Sequence, residues 1–136
     1  MDRVQAALSG SIAFALTFLL SLCLLALFAA VYSALTSHHE MTLIRAGNKS
    51  AALSFGGAII GFVIPFGKAI AQSVDMIDLL VWSAMAFVAQ LLAYGATAAL
   101  VPHLRKSIED DHVASGILLT ALAIAIGVLN AAAMSL

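Results

Sequence analysis

Residues 4–37 read VQAALSGSIAFALTFLLSLCLLALFAAVYSALTS, thirty-four consecutive positions without a charged side chain. A hydrocarbon core about 30 Å thick is crossed by roughly 20 helical residues, so this stretch spans it with turns to spare. Three more uncharged stretches follow, at residues 50–67, 79–102 and 113–136. Inside lipid a backbone must satisfy its own hydrogen bonds, which leaves helices or a closed barrel. A barrel needs strands of about ten residues that alternate polar with apolar. Leu19-Leu20-Ser21-Leu22 and Ala121-Leu122-Ala123-Ile124 do not alternate. The expected fold is therefore an all-α integral membrane protein, with four transmembrane helices over residues 11–36, 50–73, 77–101 and 113–134.

Composition agrees. Hydrophobic residues make up 63% of the chain and charged residues 10%, against about half and a quarter in a soluble domain. The formal net charge of -1 and the lack of a basic run argue against a nucleic-acid partner. The single cysteine, Cys23, has no internal partner and reads as a small apolar side chain. The first uncharged run is far longer than the 7–15 residues of a signal-peptide core, so a retained helix is expected.

Local signals set the boundaries. Asn48 or Ser50 is a candidate N-cap for the second helix, after Gly47. Asp75 with Asp78 resembles a capping box for the third, and Pro102 marks its end. Asp110 and Asp111 place acidic groups before the fourth, where the helix dipole favours them. Residues 38–46 suit a short interfacial helix, with Met41, Leu43 and Ile44 dipping into the headgroups.

The basic residues predict orientation. Arg45, Lys49, Arg105 and Lys106 lie in the first and third loops, while Arg3 and Lys68 lie on the other side. This excess places the first and third loops in the cytoplasm and both termini outside, periplasmic in a Gram-negative cell. Trp82 and Tyr32 fit interfacial anchoring.

The two halves are alike. A shift of 62 residues lays Ser21 on Ser83, Tyr32 on Tyr94, Ala52 on Ala114 and Ile64 on Ile126, and superposes the helix pairs. The reading is one membrane domain, 1–136, built from two tandem helical-hairpin repeats, 1–73 and 74–136. Each copy has two spans, so the repeats are expected to be parallel.

Several of these residues carry a family pattern: Glu40, Arg45-Ala46-Gly47-Asn48, Ala51-Ala52, Gly56-Gly57, and Gly61 running to Pro65. The second half repeats it more loosely as Ile108-Glu109-Asp110-Asp111, Ala114, Gly116 and the stretch from Gly127 through Asn130 to Met134-Ser135. Together these resemble a bacterial inner-membrane family known only as a domain of unknown function, the YjfL-like family. The match covers essentially the whole chain. It implies a four-helix inner-membrane protein with a duplicated hairpin, and it implies no reaction. Asp110 and Asp111 stand where the first half has Gly47 and Asn48, a departure between the two loops.

The candidate functional positions fall into three sets. Gly57, Gly61 and Pro65 share one face of the second helix, and Gly116, Thr120 and Gly127 share one face of the fourth. Small residues let helices approach closely in lipid, so these faces read first as packing of the second helix on the fourth within one chain, then as an oligomer interface, then as a pore lining. Pro65 removes the helical donor of the Gly61 carbonyl and predicts a kink. The intramembrane polar set is Gln90, Ser21 and Asn130; Gln90 needs a partner, with Thr120 and Ser21 as candidates. The loop set, expected to meet a cytoplasmic protein, is Glu40, Arg45, Asn48, Arg105, Lys106, Asp110 and Asp111. The histidines His38, His39, His103 and His112 lie in the same loops, with no helical i, i+4 pair to make a metal motif. Lys68, Asp75 and Asp78 in the outer loop read as solvated charges or an exposed ion pair.

No Asp, Glu, Lys, Arg or His falls at mid-membrane, which argues against a proton-coupled pump. No nucleophile–base set, phosphate loop or zinc motif is present, so neither an enzyme nor a cofactor is implied. The expected partners are the lipid bilayer and further copies of the chain. The leading expectation is a non-enzymatic oligomeric scaffold or envelope-complex subunit. The alternative is a small oligomeric channel or carrier lined by the Gly-rich second helix.

Overall fold

A computed structural model describes residues 2–36 and 40–135. Six helices follow in order: α1 (Arg3–Thr36), α2 (Glu40–Arg45), α3 (Lys49–Gln72), α4 (Met76–Leu100), α5 (Leu104–Glu109) and α6 (Val113–Ala133). Among them α1, α3, α4 and α6 are long and apolar enough to cross a membrane. The fold is all-α. Helix α1 begins eight residues before the expected start at residue 11, because Asp2 caps it by accepting from the Gln5 N–H at 2.9 Å. The interfacial helix expected before Gly47 is α2; His38 and His39 lie outside the described residues.

The core is the parallel pair α3 and α6. Ser50 meets Gly116, Gly57 meets Thr120, and Gly61 meets Ala123 and Gly127, so both helices climb together. Helix α4 packs against both. Gln90 of α4 donates to the Ala123 carbonyl of α6 and borders Gly61 of α3.

Helix α1 meets this core through its C-terminal half, where Leu20, Leu24 and Leu25 pack against it beside a set of aromatic contacts. Phe28 stacks on Phe62 with centroids 4.1 Å apart and rings 6° from parallel. It also meets Phe87 edge-on at 5.6 Å, while Tyr32 meets Tyr94 edge-on at 6.4 Å. Such pairs contribute about 0.5–1.5 kcal/mol beyond the area they bury. Every residue from Arg3 to Leu19 is exposed. At 1.5 Å per residue α1 is about 51 Å long, well beyond the hydrocarbon thickness.

The short helices α2 and α5 end alike. Gly47 N–H donates to Ile44 O at 3.0 Å and Asn48 N–H to Leu43 O at 2.9 Å. Asp111 N–H donates to Ile108 O at 3.0 Å and His112 N–H to Ser107 O at 2.9 Å. Both are Schellman motifs, with the left-handed residue at Gly47 (φ 91°) and at Asp111 (φ 57°). Their spacing is 64 residues, two more than the shift that aligns the hydropathy.

Candidate functional site

The small-residue faces are brought together, and they face each other inside one chain. A methyl group built on Gly57 would come 2.7 Å from the Thr120 α-carbon; on Gly116, 2.8 Å from the Ser50 α-carbon; on Gly127, 2.8 Å from the Gly61 α-carbon. Real side chains do not tolerate such distances, so these glycines are required by backbone contact. Pro65 is buried on the same face, and α3 runs on through it to Gln72.

The polar residues within the bundle make other bonds than those expected. Gln90 is fully buried, and its Nε2 donates to Ala123 O at 3.2 Å. Thr120 donates instead to Leu53 O at 2.5 Å, and Ser21 to Thr17 O in its own helix at 2.7 Å. Neither expected partner bonds Gln90: Ser21 turns to a carbonyl of its own helix, as helical hydroxyls do, and Thr120 reaches across to α3. Gln90 Oε1 and Asn130 Nδ2 are buried without a hydrogen bond.

At the end that carries α2 and α5, the two loops clasp each other. Asn48 caps α3 by accepting from Ala51 N–H at 2.8 Å. Its amide nitrogen also donates to Ile108 O at 2.7 Å and Glu109 O at 3.2 Å. Asp111 accepts from Ser50 N–H at 2.9 Å. Asp111 therefore caps α3 across the bundle rather than serving α6, whose own cap position, His112, makes no side-chain bond. The reason is the left-handed turn, which swings Asp111 away from α6. Arg45, Arg105, Lys106 and Asp110 remain exposed; Arg105 pairs with Glu109 at 3.8 Å. Asn48 and Glu40 are buried, so their side chains face the protein rather than solvent.

Glu40 is the group that sequence reading placed least well. It is 5% exposed and packs against the end of α1, where Thr36 Oγ1 lies 3.2 Å from its Oε1. Its Oε2 has no hydrogen bond, and neither has the hydroxyl of Tyr32. Tyr94 donates to Thr36 O at 3.2 Å. Burial raises the Glu40 carboxyl to about 7, against weaker lowering by Thr36 and Ser33. The only sequence signal was Glu40 following an apolar helix within four residues.

At the opposite end, Asp75 caps α4 by accepting from Asp78 N–H at 2.8 Å. Asp78 accepts in turn from Val74 N–H at 3.2 Å and from the Trp82 indole at 3.0 Å. Lys68 donates to the hydroxyl of Ser135. Two nearly apolar grooves flank α1. One of about 300 Å³ lies between Leu24, Phe28 and Leu80, and one of about 380 Å³ between Phe14, Val63 and Ile70. Nothing polar in either suggests a site for chemistry, and both suit lipid chains.

A family model, Domain of Unknown Function (DUF350), matches residues 6–134. The chain is 33% identical over 128 residues to the UPF0719 inner membrane protein YjfL of Escherichia coli strain K12, across 94% of this chain and 97% of that protein. The same protein of Escherichia coli O157:H7 matches to the same extent. No solved structure matches. With its four long apolar helices and a family match along nearly its full length, this chain belongs to the DUF350 family.

Proposed function

We propose that this is a non-enzymatic, multi-pass protein of the inner membrane that works as an oligomeric scaffold or as a subunit of an envelope complex. The observation that carries the reading is the unequal exposure of the spans. Helices α3 and α6 are sealed backbone to backbone, whereas α1 leaves every residue from Arg3 to Leu19 uncovered. A sealed core beside a long free helix suits assembly through α1, because association in lipid depends on packing between helices.

The location follows that of the Escherichia coli relative, an inner membrane protein, and the orientation follows the basic loops, with α2 and α5 cytoplasmic and both termini periplasmic. On that side Arg45, Arg105, Lys106 and Asp110 form the exposed surface for a protein partner. The paired Schellman motifs support two tandem hairpin repeats, 1–73 and 74–136, as the internal plan. The alternative, a channel or carrier lined by the glycine face of α3, loses its main support, since that face is packed on α6.

The test combines cross-linking and flux. Single cysteines at Gly10, Phe14 and Leu19 in a Cys23→Ala background should form intermolecular disulfides in membranes, strongest along one stripe of α1. Reconstituted protein should conduct no ions. Absence of cross-links at every α1 position, or ion flux abolished by Gly61→Leu in protein that still folds, would overturn the proposal.

A further inference from the structure

The buried carboxyl of Glu40 has a second oxygen without a partner and a neighbouring phenol, Tyr32, without one either. Both are almost fully enclosed, at 5% and 1% exposure. Unpaired buried polar atoms are costly, and a buried charge more so. What could complete this site is narrowed by the single proton of Thr36. Its hydroxyl has two acceptors in reach, Tyr32 O at 2.8 Å and Glu40 Oε1 at 3.2 Å. One proton serves one acceptor well. When it serves the closer carbonyl, the contact to Glu40 is satisfied if the carboxyl itself donates. Thr36 is also the last residue of α1, so Glu40 sits at the negative end of a 34-residue helix. That end repels a carboxylate and tolerates a neutral acid.

Among the described residues no counter-charge reaches it. From α1 the titratable group facing Glu40 is Tyr32, and from α4 it is Tyr94. Helix α5 brings Arg105 towards Tyr94, but Arg105 is half exposed and paired with Glu109. On α2 itself Arg45 is exposed, at the far end. Helix α3 has only Lys49 and Lys68, of which Lys49 is exposed, and α6 has no titratable residue. Among the described residues no basic side chain pairs with Glu40; His38 and His39, next to it in sequence, lie outside them.

We infer that Glu40, with Tyr32, Thr36 and Tyr94, forms a proton-binding site that latches α2 onto the ends of α1 and α4, closed when the carboxyl is protonated and loosened when it ionises. Docking holds the α2 residues Leu43 and Ile44 against Ala51, Leu104, Ile108 and Leu119. The burial that raises the carboxyl from 4.5 to about 7 in the docked state gives the sign. A proton bound more tightly when docked favours docking at low pH, and that advantage is lost as pH rises through the docked value. By linkage the docking equilibrium weakens on the order of fiftyfold between pH 5 and pH 8.

The test reads α2 directly, in full-length protein in lipid nanodiscs. A cysteine at Ile44 in the Cys23→Ala background is alkylated by a water-soluble maleimide. Its rate is divided by that of a cysteine at the exposed Met41, which cancels the thiol's own ionisation. The ratio should rise at least tenfold from pH 5 to pH 8. With Glu40→Gln, a neutral isostere, it should stay at its low-pH value throughout. A hydrophobic carbodiimide should label Glu40 at pH 5 and lose that labelling with a midpoint near 7. A flat ratio in the parent protein, or an unchanged rise in Glu40→Gln, would overturn the inference. So would a rise removed by His38→Gln with His39→Gln while Glu40 is intact. Protection of Glu40 from that labelling at pH 6 by sodium or potassium, but not by choline, would also overturn it, making the site one for a metal cation.

Discussion

Gly127 presents its α-carbon to the carbonyl oxygen of Gly61, the carbonyl that Pro65 leaves without a helical N–H. A side chain on Gly127 would overlap that oxygen. The proline and the two glycines therefore form one device. Pro65 frees an acceptor on α3, and Gly127 of α6 covers it with a Cα–H, a contact that recurs where helices touch. The membrane core thus closes beside the position where the sequence predicts a kink.

Gly127→Leu and Gly61→Leu should each force the helices apart and destabilise the fold by about 3 kcal/mol or more, at the upper end of overpacking costs. Gly56→Ala and Gly95→Ala, with open space beside each α-carbon, should change stability by less than about 1 kcal/mol. Denaturant titration in mixed micelles measures both sets.

Phe28→Ala removes the ring that joins α1 to Phe62 and Phe87. A cost of about 3–5 kcal/mol is expected for a buried phenylalanine. Because α1 has few other attachments, the loss should appear as detachment of α1 and leave α3 and α6 paired. A distance probe between α1 and α3 should lengthen while one between α3 and α6 stays fixed.

Asn48→Ala and Asp111→Ala should each cost about 1–2 kcal/mol, the range for a lost cap or a buried bond. Both act on the first turn of α3, so the double variant should cost measurably less or more than the sum of the two. Thermal melts of the four proteins complete the cycle.

Gln90→Met keeps the volume and loses one bond, to Ala123. Since interhelical bonds in membranes average about 0.6 kcal/mol and Gln90 Oε1 has no partner to lose, stability should change by less than about 1 kcal/mol. Gln90→Ala should cost more, through the cavity it leaves.

Thermal stability should carry the signature of Glu40. Its carboxyl is raised from 4.5 to about 7 by burial, so the folded state binds more protons than the unfolded chain between those values. The stabilisation is full below about pH 4.5 and declines as pH rises through 7. Melting temperature measured from pH 4.5 to 8 should fall in the parent, with Glu40→Gln losing that component of the slope.

The sequence by itself determined the solvent and the elements. Uncharged runs too long for a soluble core forced four spanning helices, and Asp75 with Asp78 marked the start of α4 because capping is local. It also found the faces that meet, since Gly57, Gly61, Gly116 and Gly127 are spaced at helical period. Tertiary structure alone decided partners. Small residues permit close approach, and the matched faces suggested packing of the second spanning helix on the fourth, but only the folded chain decided which residues meet. Asp111 reads as an acidic group set before α6 to suit its dipole until its left-handed turn carries it to Ser50 of α3. Glu40 reads as a loop charge until α1 and α4 close over it. In each case the chemistry is written at one position, but part of its environment comes from a helix about 55–65 residues away in the sequence, and burial is a property of the assembled bundle.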